Sequence, residues 1–452
     1  METTPRITGT EMEWGLIAQH AKHKDVQLPI TAYVSFESIN RNLIDGLAIN
    51  GGFLSNGGRL YLDIHNHLEY AGPEDASFWG TVVNEMAGEE IVYSYLEYLQ
   101  DDHKIGRFWL NKRVVDTSGA SWGHHENYLS PASSMNINQD YLKPLAIHLA
   151  TRSIFCGAGF FEDTKFGKTF RIAQKNTRLT HGFHADTVKS KPLVNLRDEP
   201  EADEHEWKRV HVTSGDANMS PWSSWMALGT TSIVLRLMEN GVSFRELYPR
   251  RYFVNIAKQV ANDPTLTSLI ATRHSGQKMT AVEIQERIVE KARIFQEQHG
   301  LPEEEAQILD EWERVVADLA VGDFSVIEDR VDWAMRLKSY KSYKEKHNGK
   351  LTDEQIEVID MMYDEISLRS IGLMYRRTAQ NVAIPTQQEI ERATKQPPDS
   401  TRAKIRGRFI LDHAGDKRAQ FRVANWSTLY NDDIGTHTRL DPYQTEAPGW
   451  AT

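Results

Sequence analysis

The 452-residue sequence holds a single cysteine, Cys156. One thiol cannot close an internal disulfide, and a thiolate zinc site needs several. Cys156 sits in the apolar run IFCGAGFF, residues 154 to 161, and reads as a small buried hydrophobe. No stretch approaches the ~20 apolar residues needed to cross a bilayer, so no membrane association is expected. The first residues show no basic start followed by an apolar run and a small-residue cleavage site, so the expected compartment is the cytoplasm. Basic charge is also short: 52 Lys and Arg stand against 63 Asp and Glu, a formal net charge of -11. A general nucleic-acid binder usually carries a basic surface and is not expected here. The chain has no GxxxxGK[ST] phosphate loop, no strand-borne GxGxxG and no GxSxG elbow. A bound nucleotide must therefore sit on a sheet, held by carboxylates, a cation and arginines.

Hydrophobic residues make up 40% and charged residues 25%, ordinary for a chain with a real core. Residues 6–16, 58–64, 107–116 and 206–214 alternate or are apolar enough to predict strands. In 58–64, Leu60, Leu62 and Ile64 share one face and Arg59, Tyr61 and Asp63 the other. Helices are predicted from about Phe78 to Gln100 and from Pro221 to Asn240, the second ended by Gly241. Beyond about Pro249, residues 281–299, 302–320, 323–346 and 353–378 read as long charged helices. After QPPDS, residues 396–400, a small tail begins, with a strand expected around Phe421 to Leu429. The expected architecture is α+β, a mainly antiparallel sheet packed with helices. Its expected domains are a catalytic one over 1–395 (sheet-rich 1–248, helical 249–395) and a small C-terminal one over 396–452.

Several polar clusters stand out. Glu11 and Glu13, at i and i+2, share a strand face and suit a divalent cation between them. Taken alone they fit a solvated strand better, since glutamate pairs are common. Asp63, His65 and His67 alternate, with Glu69 continuing the face, and a carboxylate there could bind metal or act as a general base. Residues 121–128, SWGHHENY, show no amphipathic period and read as a binding loop. Arg197 precedes Arg209, which shares a strand face with His211. Arginine grips phosphate oxygens in pairs, and a surface ion pair is the other reading. Residues 214–220, SGDANMS, read as a structural turn and helix cap.

In their order these motifs resemble the Pup ligase and depupylase family. The matching text is GTEMEWG, NGGRLYLDIHNHLEYAGPE, GASWGHHENYL, NLRDEPEAD, RVHVTSGDANMS and LGTTSIVL, with VDWAMRLKSY and QPPDSTRAKIRGRF later. The resemblance spans nearly the whole chain. It implies a glutamine-synthetase-like catalytic domain with a smaller C-terminal domain. It implies ATP and Mg²⁺ as cofactors, and as partners Pup or a Pup-like modifier and lysine-bearing proteins. The implied reaction phosphorylates the C-terminal glutamate of the modifier, and a lysine then displaces phosphate to form an isopeptide bond. Carried over residue by residue, Glu11, Glu13, Glu69 and His211 belong to the metal site. Asp63 is the base, Arg197 and Arg209 contact phosphates, and Trp426 lies near the nucleotide base. A depupylase or deamidase of the same family is the alternative. The insertion that depupylases carry between the first motif and GGRLYLD is missing, which favours the ligase. Leu68 stands where the family usually has proline.

Overall fold

The computed structural model describes residues 4–22, 27–28, 49–50, 52–63, 67–102, 105–116, 119–187, 189–273, 276–367, 372–374, 383–413, 421–423, 425–431 and 435–449. Among them, nine strands form one large sheet. At its centre His124–Pro131 lies between Trp207–Val212 and Thr8–Glu13. Leu68–Ala71 and Arg59–Leu62 continue on the Thr8–Glu13 side, and Phe53–Leu54 and Ile49–Asn50 complete that edge. Pro192–Asn195 and His181–His184 form the other edge, and only that last pair runs parallel. This is the α+β, mainly antiparallel arrangement that the sequence predicts. No helix among the described residues is long and apolar enough to cross a membrane.

The strand Thr8–Glu13 alternates as its residues dictate. Thr8, Thr10 and Met12 are buried, while Glu11 and Glu13 stand half-buried on the opposite face. The continuous strand predicted over 6–16 breaks at Trp14. Gly15–His20 leaves for a second sheet, where it pairs with Ile105–Asn111. Gly15 permits the exit, because a Cβ there would come 2.9 Å from the Trp122 ring.

Helices cover the buried face. Phe78–Asp101 starts at Ser77, whose side chain accepts from the Gly80 amide. Glu304, from the helix Glu303–Val321, accepts from the Phe78 and Trp79 amides and locks the two helix starts together. Pro221–Glu239 begins with a Ser220 cap and stops before Gly241, which adopts φ 74°. The predicted helix over 353–378 is shorter, since its regular part is Asp353–Asp364. The strand expected near 421–429 is two, Phe421–Val423 and Thr428–Asn431, paired antiparallel.

One buried group gives this core a pH dependence. His148 is fully buried, with Nε2 3.4 Å from the hydroxyls of Thr230 and Thr231 and its ring edge-on to Trp312. Burial and the nearby Arg152 charge hold its pKa well below the ordinary value. The folded protein therefore does not take up the proton that the unfolded chain binds below about pH 6.5, and stability falls as the pH drops past that value. Urea unfolding at pH 7 and 5.5 should show a stability loss that is smaller by about 1 kcal/mol in His148→Gln.

The C-terminal helix Ala403–Asp412 and a three-stranded sheet enclose their own core of Ile405, Phe409, Ile410, Val423, Leu429 and Leu440. Phe53, on the large sheet, inserts into it. Arg402 and Arg406 both reach Glu74, at 2.8 and 2.5 Å. Burial alone would raise the Glu74 pKa, but the two guanidinium groups outweigh it and bring it down to about 2. This ionic clamp seats the C-terminal segment against the sheet.

Candidate active site

The half-buried face of three central strands carries the polar clusters. Register places Glu11 opposite His125, and His211 opposite Asn127. Glu13 faces Glu69 across the other flank. The run 121–128, expected as a loop, is largely this sheet's middle strand, beginning at His124. Its alternation was hidden because both faces are polar. His124 and Glu126 point inward and stay polar because Glu85 and Arg152 pair with them.

Two groups of metal-ligand type result. Glu11, His125 and His211 each offer an atom within 4.8 Å of the others, and so do Glu13, Asp63 and His67. In the first, Asn127 donates to Glu11 at 3.0 Å, and His125 Nδ1 lies 3.1 Å from the same carboxylate. Burial would raise the Glu11 pKa, but the His125 bond and the electrostatic influence of the neighbouring His211, His125 and Arg209 pull it below the ordinary range. His211 is buried, and burial pushes its pKa down to about 3 despite Glu11. Its Nε2 has no hydrogen-bond partner among the described residues and lies 3.9 Å from Glu11. A neutral imidazole beside an ionised carboxylate is the state a cation requires of its ligands.

In the second group, the regular strand ends at Leu62, and the Asp63 amide donates to the His67 carbonyl at 2.9 Å. The His67 amide donates to Asp63 at 2.6 Å, and His67 Nδ1 lies 3.3 Å from both Asp63 and Glu13. The bonds to Asp63 and Glu13 push the His67 pKa up to about 10, so it is an imidazolium here. A proton occupies the place between two carboxylates that a metal could take. His65 lies outside the described residues.

Glu69 is buried beside these groups. Burial and the charges of Glu11 and Glu13 push its pKa well above the ordinary value. Tyr61 hydrogen-bonds to it, and Arg59 stacks over the Tyr61 ring at 4.8 Å. Sequence reasoning did not single out Arg59 or Tyr61 as functional. The signal was there, in the same alternation that placed them on the face of Asp63.

A cavity beside Glu11 is walled by Asn127, Arg209, Glu199 and Arg402 and reaches Trp426. The Trp426 ring meets Phe53 edge-on at 5.1 Å and lies under the Arg406 guanidinium at 4.8 Å. Arg209 pairs with Glu199 at 3.2 Å, and its Nε has no partner among the described residues. Arg197 is half exposed at the rim, 3.6 Å from Glu199, and does not line this cavity. The Glu11 carboxylate, the Arg209 guanidinium and the Trp426 ring thus border one cavity, and Glu11 links it to His125 and His211. Their chemistry suits a hard cation with an anionic, planar-ringed ligand.

Gly123 sets the spacing. A Cβ there would lie 2.6 Å from Glu13 Oε1 and 2.8 Å from His125 Nε2. Both are ends of side chains that can swing aside, so Gly123→Ala should leave Tm within about 2 °C of the native value. It should nonetheless weaken divalent-cation binding, measured by calorimetry, at least about tenfold, because the two ligand groups move apart. Tight binding in this variant would show that the two groups act independently.

Residues 6–430 match the model of the family described as Pup-ligase protein. A Pup–protein ligase of Kineococcus radiotolerans is 34% identical over 449 residues, covering 97% of this chain and 96% of the relative. A Pup–protein ligase of Acidimicrobium ferrooxidans is 32% identical over 450 residues, covering 98% and 96%. Among solved structures, the complex between prokaryotic ubiquitin-like protein Pup and its ligase PafA superposes with a TM-score of 0.84 at 29% identity, over 99% of this chain and 91% of that one. The Pup ligase PafA in complex with ADP gives 0.77 at 30% identity, over 91% and 90%. The chain belongs to the Pup-ligase protein family.

Proposed function

We propose that this protein is an ATP- and Mg²⁺-dependent ligase. It phosphorylates the C-terminal glutamate of Pup or a Pup-like modifier and joins it by an isopeptide bond to a substrate lysine. The observation that carries this reading is the cavity that joins Glu11 and Arg209 to Trp426, 415 positions further along the chain. In this reading it would offer a cation site, a phosphate contact and an aromatic surface. In this reading residues 1–395 form the catalytic domain and 396–452 the C-terminal domain that brings Trp426. The compartment of this reading is the cytoplasm, as expected from a chain start without signal-peptide features.

Glu11, Glu13, Glu69 and His211 would hold magnesium, and His125 joins them on the geometry above. When bound, the cation neutralises phosphate oxygens and makes the carboxylate-to-phosphate transfer easier. Arg209, which lines the cavity, would contact the same oxygens, and Arg197 is the second phosphate contact of this reading although it stands outside the cavity wall. Asp63 accepts the proton of the incoming lysine ammonium, since only the free amine attacks the acyl phosphate. His67, bonded to Asp63, fixes the orientation of that carboxylate.

Calorimetry with ADP tests the site. Binding should require Mg²⁺, and Arg209→Ala should weaken it at least about tenfold, the loss of one charge-assisted phosphate contact. Equal ADP affinity in excess EDTA would contradict the proposed metal set.

A further inference from the structure

Behind the catalytic strands lies a second, small cavity of about 10 Å³, room for one water-sized guest. Ser153, Asn176, Ser214 and Asn218 line it, and all four are buried, at 4%, 3%, 7% and 3% exposure. Ser153 Oγ, Asn176 Oδ1, Ser214 Oγ and Asn218 Oδ1 have no hydrogen-bond partner among the described residues. A buried oxygen left without a hydrogen-bond partner is destabilising. Four of them around one cavity call for a shared guest.

Charge selects the guest. The cavity is lined by two carboxylates, Glu126 and Asp216, and by one guanidinium, Arg152, leaving one net negative charge. Arg152 is already committed to Glu126, which also accepts from the Tyr128 hydroxyl. Asp216 accepts from the amides of Ala158, Gln174 and Lys175. The cations behind them are engaged too: Lys112 bonds to Glu85 and Glu89, His124 faces Glu85, and the Lys175 ammonium donates to the Trp122 carbonyl. A positive guest balances this shell better than water. Magnesium holds its hydration waters tightly and does not fit a one-water space. A monovalent ion sheds its shell for neutral oxygens more readily.

We propose that this cavity binds one dehydrated monovalent cation of potassium size. Its place gives it a task. Glu126 lies between His125 and Asn127, while Ser214 and Asn218 follow the strand that carries Arg209 and His211. The ion ties the backs of the two strands whose fronts form the active site.

The full-length protein, exchanged into choline chloride, is titrated with potassium chloride at constant ionic strength and followed by thermal unfolding. A saturable rise in Tm of about 2 °C is expected by half-molar salt or below. Ser153→Ala and Ser214→Ala should each raise the midpoint of that titration at least threefold. Native crystals soaked in rubidium chloride should show an anomalous peak inside the cavity, a readout that stands even if both variants fold poorly. An anomalous map with no peak there, or equal Tm in potassium and choline, would show that water fills the space and would overturn the proposal.

Discussion

Asp63→Asn is expected to lower transfer of the modifier to lysine by about 10²–10⁴-fold, the usual contribution of a positioned general base. ADP affinity should stay within about threefold of native. Asparagine keeps the carbonyl oxygen that accepts from the His67 amide, so the hydrogen bond that holds position 63 persists. What it loses is the capacity to take a proton from the attacking ammonium. Conjugate formation on a gel and ADP calorimetry separate the two effects. Full transfer activity in this variant removes Asp63 from the mechanism. A parallel loss of ADP binding would make it a structural residue of the nucleotide site instead.

Glu69→Gln is expected to abolish activity by at least about 10²-fold while leaving the metal-free protein as stable as native, or more so by about 2 °C. The reason is the environment of Glu69. It is buried opposite Glu13, and the charges of Glu11 and Glu13 disfavour its ionised form. Glutamine still accepts from Tyr61 but removes the repulsion. Such sites sacrifice stability for function, so the neutral variant gains one as it loses the other. Thermal unfolding in EDTA and then in Mg²⁺ gives the check. Native protein should rise in Tm with Mg²⁺, and the variant should not. A clear fall in the metal-free Tm would mean that Glu69 is a structural anchor.

Much of this site was legible as period-two patterning. Glu11 and Glu13 stand out because their strand has a polar and an apolar face, and burial alternates along it accordingly. Helix ends were legible for the same local reason: Gly241 stops one helix and Ser220 starts it. Residues 121–128 were misread because the buried face of that strand carries His124 and Glu126, each neutralised by a partner distant in sequence. Hydropathy cannot report such pairs. The break at Trp14 rests on Gly15 meeting Trp122, again a tertiary contact. Asp63 was placed on a strand face, whereas the regular strand ends at Leu62 and the Asp63 side chain accepts from the His67 amide. Trp426 gave no local signal, and only the family resemblance brought it to the site. His125 and His67 stood in the quoted motifs, but their pairing with Glu11 and with Glu13 depends on cross-strand register and turn geometry.

The central claim is ligation, and one gel assay tests it most directly. The protein is incubated with ATP, Mg²⁺, a Pup-type modifier ending in glutamate and a lysine-bearing target. A second tube holds a preformed conjugate without free modifier. The account predicts a new band of higher mass in the first tube that depends on both ATP and Mg²⁺. Disappearance of the conjugate in the second tube, with no new band in the first, would contradict it and make the protein a hydrolase of the same bond.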